Sequence, residues 1–376
     1  MSASKALPVA KAHNLGWFLV FAVVYSDIGT SVFYVPGILH GTIGNLASLA
    51  QFITTGIFIS IALKYVEICK RCPDGGGVVS IVREAFSAWE FLPLVGGAFI
   101  TVSYFLTSAI SGVSGLYYLA SLAPDTKDLV LPASLVLFLI LIFINIIGIK
   151  ESASLSAVLA VAKIIVSFIL LGAALFYITA HPSLSWKGLW GSVLHPGDIK
   201  LSFSTIMVGY AATWLAYSGL ESVAQVSGAM KEPVERTASK SMWWVIGIIA
   251  LLSSPVTAVT LYVLPEKVIN GQSDALLSAL GFAVGGPYLG IPVVITAAAL
   301  LFMACNTAIV GNYHVNVRLS DLGFLPSFLR KRHPKVGTPY LSIVASGLVP
   351  LAIIFILAAK VETLGILYNF GLLGTL

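Results

Sequence analysis

Charge is what this chain has least of. Only 10% of its 376 residues are Asp, Glu, Lys or Arg, while 58% are hydrophobic; soluble domains carry about 25% charged residues. With a mean hydropathy of +0.96, that poverty of charge leaves no room for a sizeable soluble domain and points to a membrane. Cysteine is scarce too: Cys69, Cys72 and Cys305. The pair in Cys69-Lys-Arg-Cys72 resembles half a zinc site, but no second Cys or His pair accompanies it, so neither a transition metal nor a disulfide is expected. A Ser/His/Asp constellation, a metal cluster and a phosphate loop are also missing, which argues against an enzyme, and no cofactor is expected. The selectivity-filter loop of a channel is missing as well. The net charge of +5 sits in short loops between apolar runs, where membrane orientation explains it better than nucleic acid does.

What is present is a series of long apolar runs. A hydrocarbon core of about 30 Å needs about 20 such residues per helix. Ten spans are expected, at about 16–39, 44–67, 91–122, 129–148, 153–180, 203–228, 240–264, 287–314, 340–359 and from 361 onward. The first run is too long and too polar in its middle for a signal peptide and reads as a true span.

Lys5, Lys11, Lys70, Arg71, Lys231, Arg318 and Arg330 to Arg332 fall on one side of this arrangement. That asymmetry predicts a multi-pass protein of the cell membrane with a cytoplasmic N-terminus. Pro73-Asp-Gly-Gly-Gly77 reads as a tight turn into an amphipathic helix from Val78 to Phe86.

Two spans are interrupted by polar residues at mid-depth. Span one carries Tyr25-Ser-Asp27-Ile-Gly29-Thr30-Ser31-Val-Phe-Tyr34, and span six carries Tyr217-Ser218-Gly219-Leu-Glu221-Ser222. They lie five spans apart, so the two groups of five run oppositely through the bilayer. This predicts an all-α membrane protein with a 5+5 inverted repeat of the LeuT-like kind and discontinuous helices one and six. The expected divisions are a cytoplasmic tail at 1–15, a first repeat at 16–180, an extracellular loop at 181–202 and a second repeat at 203–376 whose last helix runs off the end.

Ionisable groups at the bilayer centre cost about 2.5 to 3.5 kcal/mol on insertion scales, so each needs a reason. Asp27 reads as a cation ligand or proton carrier, or else as a fixed partner of Lys163. Glu221 reads as a cation ligand or a titrating carboxyl. Lys163, midway along apolar span five, suits reversible protonation, with a permanent ion pair to a carboxylate as the alternative. In span three, Tyr104, Thr107 and Ser111 share one helical face by spacing. Their oxygens suit a hard cation, although tyrosines and small hydroxyls also pack helices together.

These motifs resemble the amino acid, polyamine and organocation (APC) superfamily, and within it the KUP-type potassium importers of bacteria. Val24 to Tyr34 is similar to the importer signature, and Pro73 to Gly77 and Glu151 to Ser154 are similar to importer segments. The resemblance implies cation binding by Asp27 and Tyr34 in span one and by Tyr104, Thr107 and Ser111 in span three, and Gly29 and Thr30 at the break itself are expected at the same site. It adds Ser218 and Glu221 in span six and Tyr368 in span ten; from their place in the membrane, Lys163, Glu221 and Asp27 are the residues expected to couple protons. Ser218 stands where the family has threonine and Ser103 where importers have aspartate. Lys163 resembles instead the span-five lysine of proton-coupled amino acid transporters. The resemblance thus implies proton-coupled potassium uptake by alternating access, with a proton-coupled amino acid permease as the alternative. Expected partners are K+ or an amino acid, protons and the lipid bilayer, with a homodimer allowed for. Family members usually have twelve spans, two more than are counted here.

Overall fold

The computed structural model describes residues 15–72, 77–86, 88–89, 91–148, 153–195, 197, 199 and 202–373. Residues 1–14 of the expected tail at 1–15, residues 73–76 of the turn from Pro73 to Gly77 and the pair Glu151-Ser152 lie outside the described residues. The described residues are nearly all helical, and a lone bridge between Leu15 and Met230 is the only β-pairing among them.

Span one is two helices, α1 (Trp17–Ile28) and α2 (Val35–Ile43), joined by a 3-10 segment, Gly29–Phe33. The break follows from local chemistry. Pro36 lies in the first turn of α2, where it gives up a backbone donor that an unbroken helix would need. The Thr30 hydroxyl donates to the Asp27 carbonyl at 2.6 Å, the side-chain competition that loosens helices. The carbonyl released at Phe33 accepts from Tyr118 Oη at 2.8 Å, which answers the membrane's demand that no backbone group go unpaired.

Next come α3 (Ala47–Arg71), a short α4 (Gly77–Ala85), α5 (Leu92–Ala120), α6 (Val130–Ile147) and α7 (Ala153–Ala180). After α8 (Trp186–Val193), span six begins as α9 (Phe203–Thr213) and tightens into a 3-10 turn, Trp214–Tyr217. It opens at Ser218 (φ −63°, ψ 148°) and resumes as the four-residue α10 (Ser222–Gln225). Gly219, with φ +96°, makes the corner. Tyr217 fixes the near side of this break by donating to the Gln51 carbonyl of α3 at 2.6 Å, beside Thr55 Oγ1 at 2.7 Å.

The chain continues through α11 (Val234–Val263), the short α12 (Glu266–Gly271), α13 (Leu276–Asp321), α14 (Tyr340–Ile356) and α15 (Val361–Leu373). Span eight therefore starts earlier than its apolar run suggests. A helix from Leu276 turns at Gly286 (φ 58°, ψ −152°) before the membrane-length stretch begins. Among the described residues, six helical stretches are long and apolar enough to cross a membrane, with Trp17–Phe33 and Tyr340–Ile356 as shorter apolar helices.

α13 packs along α5 and α7, α14 along α6, and α3 along α11, while α1 runs between α7 and α11. The end of the bundle that bears Lys70, Lys240, Arg318 and Arg330 is called the basic end below. There the start of α1 is tied to the chain after span six. Leu15 N donates to the Ala229 carbonyl at 3.0 Å, Lys231 N to the Leu15 carbonyl at 2.9 Å, and Ser241 Oγ of α11 to the Trp17 carbonyl at 2.7 Å. The Lys240 ammonium lies 4.0 Å from the centre of the Trp17 ring.

Candidate functional site

The two breaks meet. Ser31 Oγ lies 3.2 Å from Ser218 Oγ and 3.0 Å from Tyr34 Oη, all three residues being buried. Ser218 Oγ donates to the Leu215 carbonyl at 3.0 Å, which also accepts from the Ser218 backbone N–H at 3.4 Å. Beside this cluster, Thr107 Oγ1 of α5 donates to the Ser103 carbonyl at 2.9 Å and pairs with the Tyr368 hydroxyl of α15. Tyr34 and Tyr368 both sit close to the Ser218 hydroxyl. Spans one, three, six and ten thus deliver hydroxyl oxygens to one place.

Asp27 closes the basic-end side of this place. Its carboxylate packs on the backbone of Gly219, where a β-carbon would fall 2.8 Å from Asp27 Cγ and 2.9 Å from Oδ2. Asp27 is half-buried and borders a cavity of about 200 Å³ that Ser26, Ser156 and Thr307 also line. Glu221 is 4% exposed and lies beside the backbone amides of Gly219 and of its own residue. Tyr104 lies within the electrostatic reach of both carboxylates.

The hydroxyl of Tyr104 lies over Gly311 of α13 and has no hydrogen-bond partner. Ser103, Ser111 and Ser114 on α5 likewise hold buried hydroxyls without partners. Buried polar atoms left unpaired are uncommon and call for water, an ion or a role. Tyr104 also forms the floor of a cavity of about 730 Å³ that opens at the basic end between α4, α5 and α13, with Ser80, Gln225 and Arg318 around it. The amphipathic helix expected after the glycine turn therefore walls this vestibule.

Lys163 stands apart from the oxygen cluster. It is 1% exposed, and its ammonium donates to Tyr25 Oη at 2.6 Å and lies 4.7 Å from the Tyr25 ring centre and 5.7 Å from that of Phe33. Its hydrogen-bond partner is thus a tyrosine hydroxyl. The ammonium braces the span-one break from behind, touching one residue before it and one at its end.

Most residues expected at a site thus converge, in two layers. Tyr34, Thr107, Ser218 and Tyr368 form the hydroxyl cluster, and Asp27, Tyr104 and Glu221 lie toward the basic end. Gly29 and Thr30 shape the break rather than face the cluster, since the Tyr25 ring covers Gly29 and Thr30 bonds its own helix. Ser111 is one turn along α5 from Thr107. Sequence reasoning passed over Ser31, which joins the two breaks, and Tyr25, which receives Lys163. Both were visible as hydroxyls inside the polar interruption, but nothing in a linear chain told which of its neighbours they would meet.

Two interrupted helices meeting at mid-bundle, with oxygens and carboxylates gathered at the interruptions, are the pattern of the broken-helix transporter folds. The profile of the amino acid permease family matches residues 15–374, and the chain belongs to that family, a branch of the APC superfamily. It is a multi-pass membrane protein of the permease type, and its family and fold are those of transporters rather than enzymes. Among curated relatives it is 22% identical over 325 residues to the potassium transporter KimA of Bacillus subtilis, covering 84% of this chain and 51% of that protein. To the branched-chain amino acid permease BcaP of the same bacterium it is 24% identical over 390 residues, covering 96% and 79%. To a probable potassium transport system protein Kup of Verminephrobacter eiseniae it is 26% identical over 362 residues, covering 87% and 53%. The chain thus spans about half the length of the two potassium transporters. The crystal structure of MhsT in complex with L-phenylalanine superposes with a TM-score of 0.58 at 14% identity, covering 96% of this chain and 81% of that one. The fold is therefore the LeuT-like one.

Proposed function

We propose that this permease carries potassium into the cell, coupled to protons, by alternating access, with its basic end and N-terminus in the cytoplasm. The observation that carries this reading is the Asp27 carboxylate set against Gly219, so that the acid of one break occupies the corner of the other. A cation arriving there meets a carboxylate and a cluster of hydroxyls, the hard oxygen ligands that replace a potassium ion's water shell. The carboxylate of an amino acid would meet a fixed negative charge instead. Two potassium transporters among the relatives support the same direction.

The difference between the two ends supports the alternating-access reading. The basic end opens by the vestibule that reaches Tyr104. At the other end α2 lies so close to the chain at Ser273 that even a methyl group on Gly37 would collide with the Ser273 carbonyl. The bundle carrying both breaks would rock against α5 and α13 to reverse this. We assign residues 16–180 and 203–376 to the two inverted repeats and 181–202 to the outer loop between them. Expression in a potassium-uptake-deficient bacterium tests the reading: wild type restores growth on limiting potassium and Asp27→Asn does not. Absence of rescue by a protein shown to reach the membrane refutes it.

A second reading, a proton-coupled amino acid permease, has its own observation. Lys163 is a buried ammonium with a tyrosine rather than a carboxylate for a partner, and the branched-chain permease is among the relatives. In that reading Lys163 carries the coupling proton and backbone amides of Gly29 to Phe33 bind the substrate carboxylate. Uptake of a branched-chain amino acid into proton-driven proteoliposomes would favour it.

A further inference from the structure

Beside the vestibule, and sharing only Val310 and His314 with it, a second cavity of about 850 Å³ opens at the basic end. It lies between the end of α6, the last turns of α13 and the loop from Arg330 to Pro339. We propose that this cavity binds the phosphate headgroup of an anionic phospholipid.

The chemistry of the lining is two-sided. Arg330 and Arg332 bring two guanidiniums to it, and α13 adds His314. Asp321 is the one carboxylate in the lining, 3.6 Å from Arg330 Nη1. Ile147, Val317 and Val336 add apolar side chains to the same lining. A guanidinium fork matches phosphate oxygens in pairs. Basic pockets between membrane helices at the charged face are where phospholipid headgroups bind. A small soluble phosphate would leave these apolar side chains unused, whereas a lipid would lay its glycerol and first acyl carbons on them. Phe328 and Val336, 48% and 43% exposed, stand next to the arginines as apolar side chains at the headgroup boundary do.

The pocket is also built in advance. His333 N donates to the Thr338 carbonyl at 2.7 Å and Gly337 N to the His333 carbonyl at 2.8 Å, which closes the loop on itself. Arg332 Nη1 donates to the Gly337 carbonyl at 3.1 Å, which sets the direction of its fork. Thr338 Oγ1 donates to the Ile146 carbonyl at 2.7 Å, pinning the loop to the end of α6.

The test uses the purified full chain in detergent, titrated with short-chain phosphatidylglycerol, with phosphatidylcholine of the same chains and with inorganic phosphate, reading affinity and Tm. Phosphatidylglycerol is expected to bind and raise Tm, and the other two are not. Arg330→Gln and Arg332→Gln should each weaken binding about fivefold. Asp321→Asn should tighten it, because Arg330 is then released to the phosphate. This opposite sign separates a headgroup site from simple damage to the loop. Equal affinity in the wild type and both arginine variants, equal binding of phosphatidylcholine, or inorganic phosphate binding as tightly as the lipid would each overturn the proposal.

Discussion

Asp27 on the first broken helix packs its carboxylate onto the α-carbon of Gly219 on the second, leaving no room for a β-carbon between them. The two interruptions are therefore one joint rather than two similar defects. Gly219 is doubly constrained, since its φ of +96° is also one that side chains rarely adopt. Replacing it with alanine adds a backbone penalty of about 1–2 kcal/mol and pushes the carboxylate away. Gly219→Ala should be expressed and inserted, with a lowered Tm and transport reduced by at least tenfold. Near-wild-type uptake by this variant would show that the joint is structural only.

Ser31 and Ser218 supply the second contact across the breaks. Hydrogen bonds between side chains in membrane bundles average about 0.6 kcal/mol, so Ser31→Ala and Ser218→Ala should each raise the KM for uptake about threefold. If both hydroxyls hold the same ion, the double variant should fall short of the product of the single effects. Full multiplicativity in a double-mutant cycle would mean that the serines act independently.

How far these features were legible in the chain differs between fold and site. Spans and breaks were readable because the membrane imposes them: about 20 apolar residues per crossing, and polar interruptions only where something lines a cavity. The helix from Leu276 to the turn at Gly286 was not, because Gly285-Gly286-Pro287 punctuates it and its run is too short to register as a span. In the site, Asp27 and Glu221 declared themselves by charge. Ser31 did not, since serine is ordinary in membrane helices and its partner lies 187 positions away. Lys163 was found by its charge, but its partner was a tyrosine, a pairing that no charge-matching argument selects.

Lys163 makes a separate prediction about coupling. Lys163→Gln keeps a hydrogen-bond donor for Tyr25 and removes a titratable group, so the fold should persist. Uptake driven by an imposed pH gradient should fall to the level driven by the substrate gradient alone. Tyr25→Phe leaves the buried ammonium without its hydroxyl partner, a loss of about 1–3 kcal/mol, and should lower Tm. Full proton-driven uptake by Lys163→Gln would remove this residue from the coupling step.

The cysteine pair at the basic end should behave as two unlike thiols. Cys69 is buried and donates to the Val223 carbonyl at 3.7 Å. Cys72 is partly exposed; burial first, and then its hydrogen bond to Glu84 and the charge of that carboxylate, push its pKa up. Less thiolate is then present at pH 8 than in a free cysteine, so alkylation of Cys72 should be slow and should accelerate as pH rises. Glu84→Gln should speed it at constant pH. Alkylation of native protein at the rate of a free thiol, with no response to Glu84→Gln, would contradict the geometry around Cys72.

In the potassium reading, Asp27 set against Gly219 makes the crossing of the two breaks a site for a small cation. Its most direct test is tracer potassium uptake into proteoliposomes under a proton gradient, with wild type and Asp27→Asn reconstituted at equal density. The expected result is uptake by wild type that unlabelled potassium competes away and branched-chain amino acids do not, with loss of that uptake in Asp27→Asn. Proton-driven uptake of an amino acid with no potassium flux, unchanged by Asp27→Asn, would contradict it.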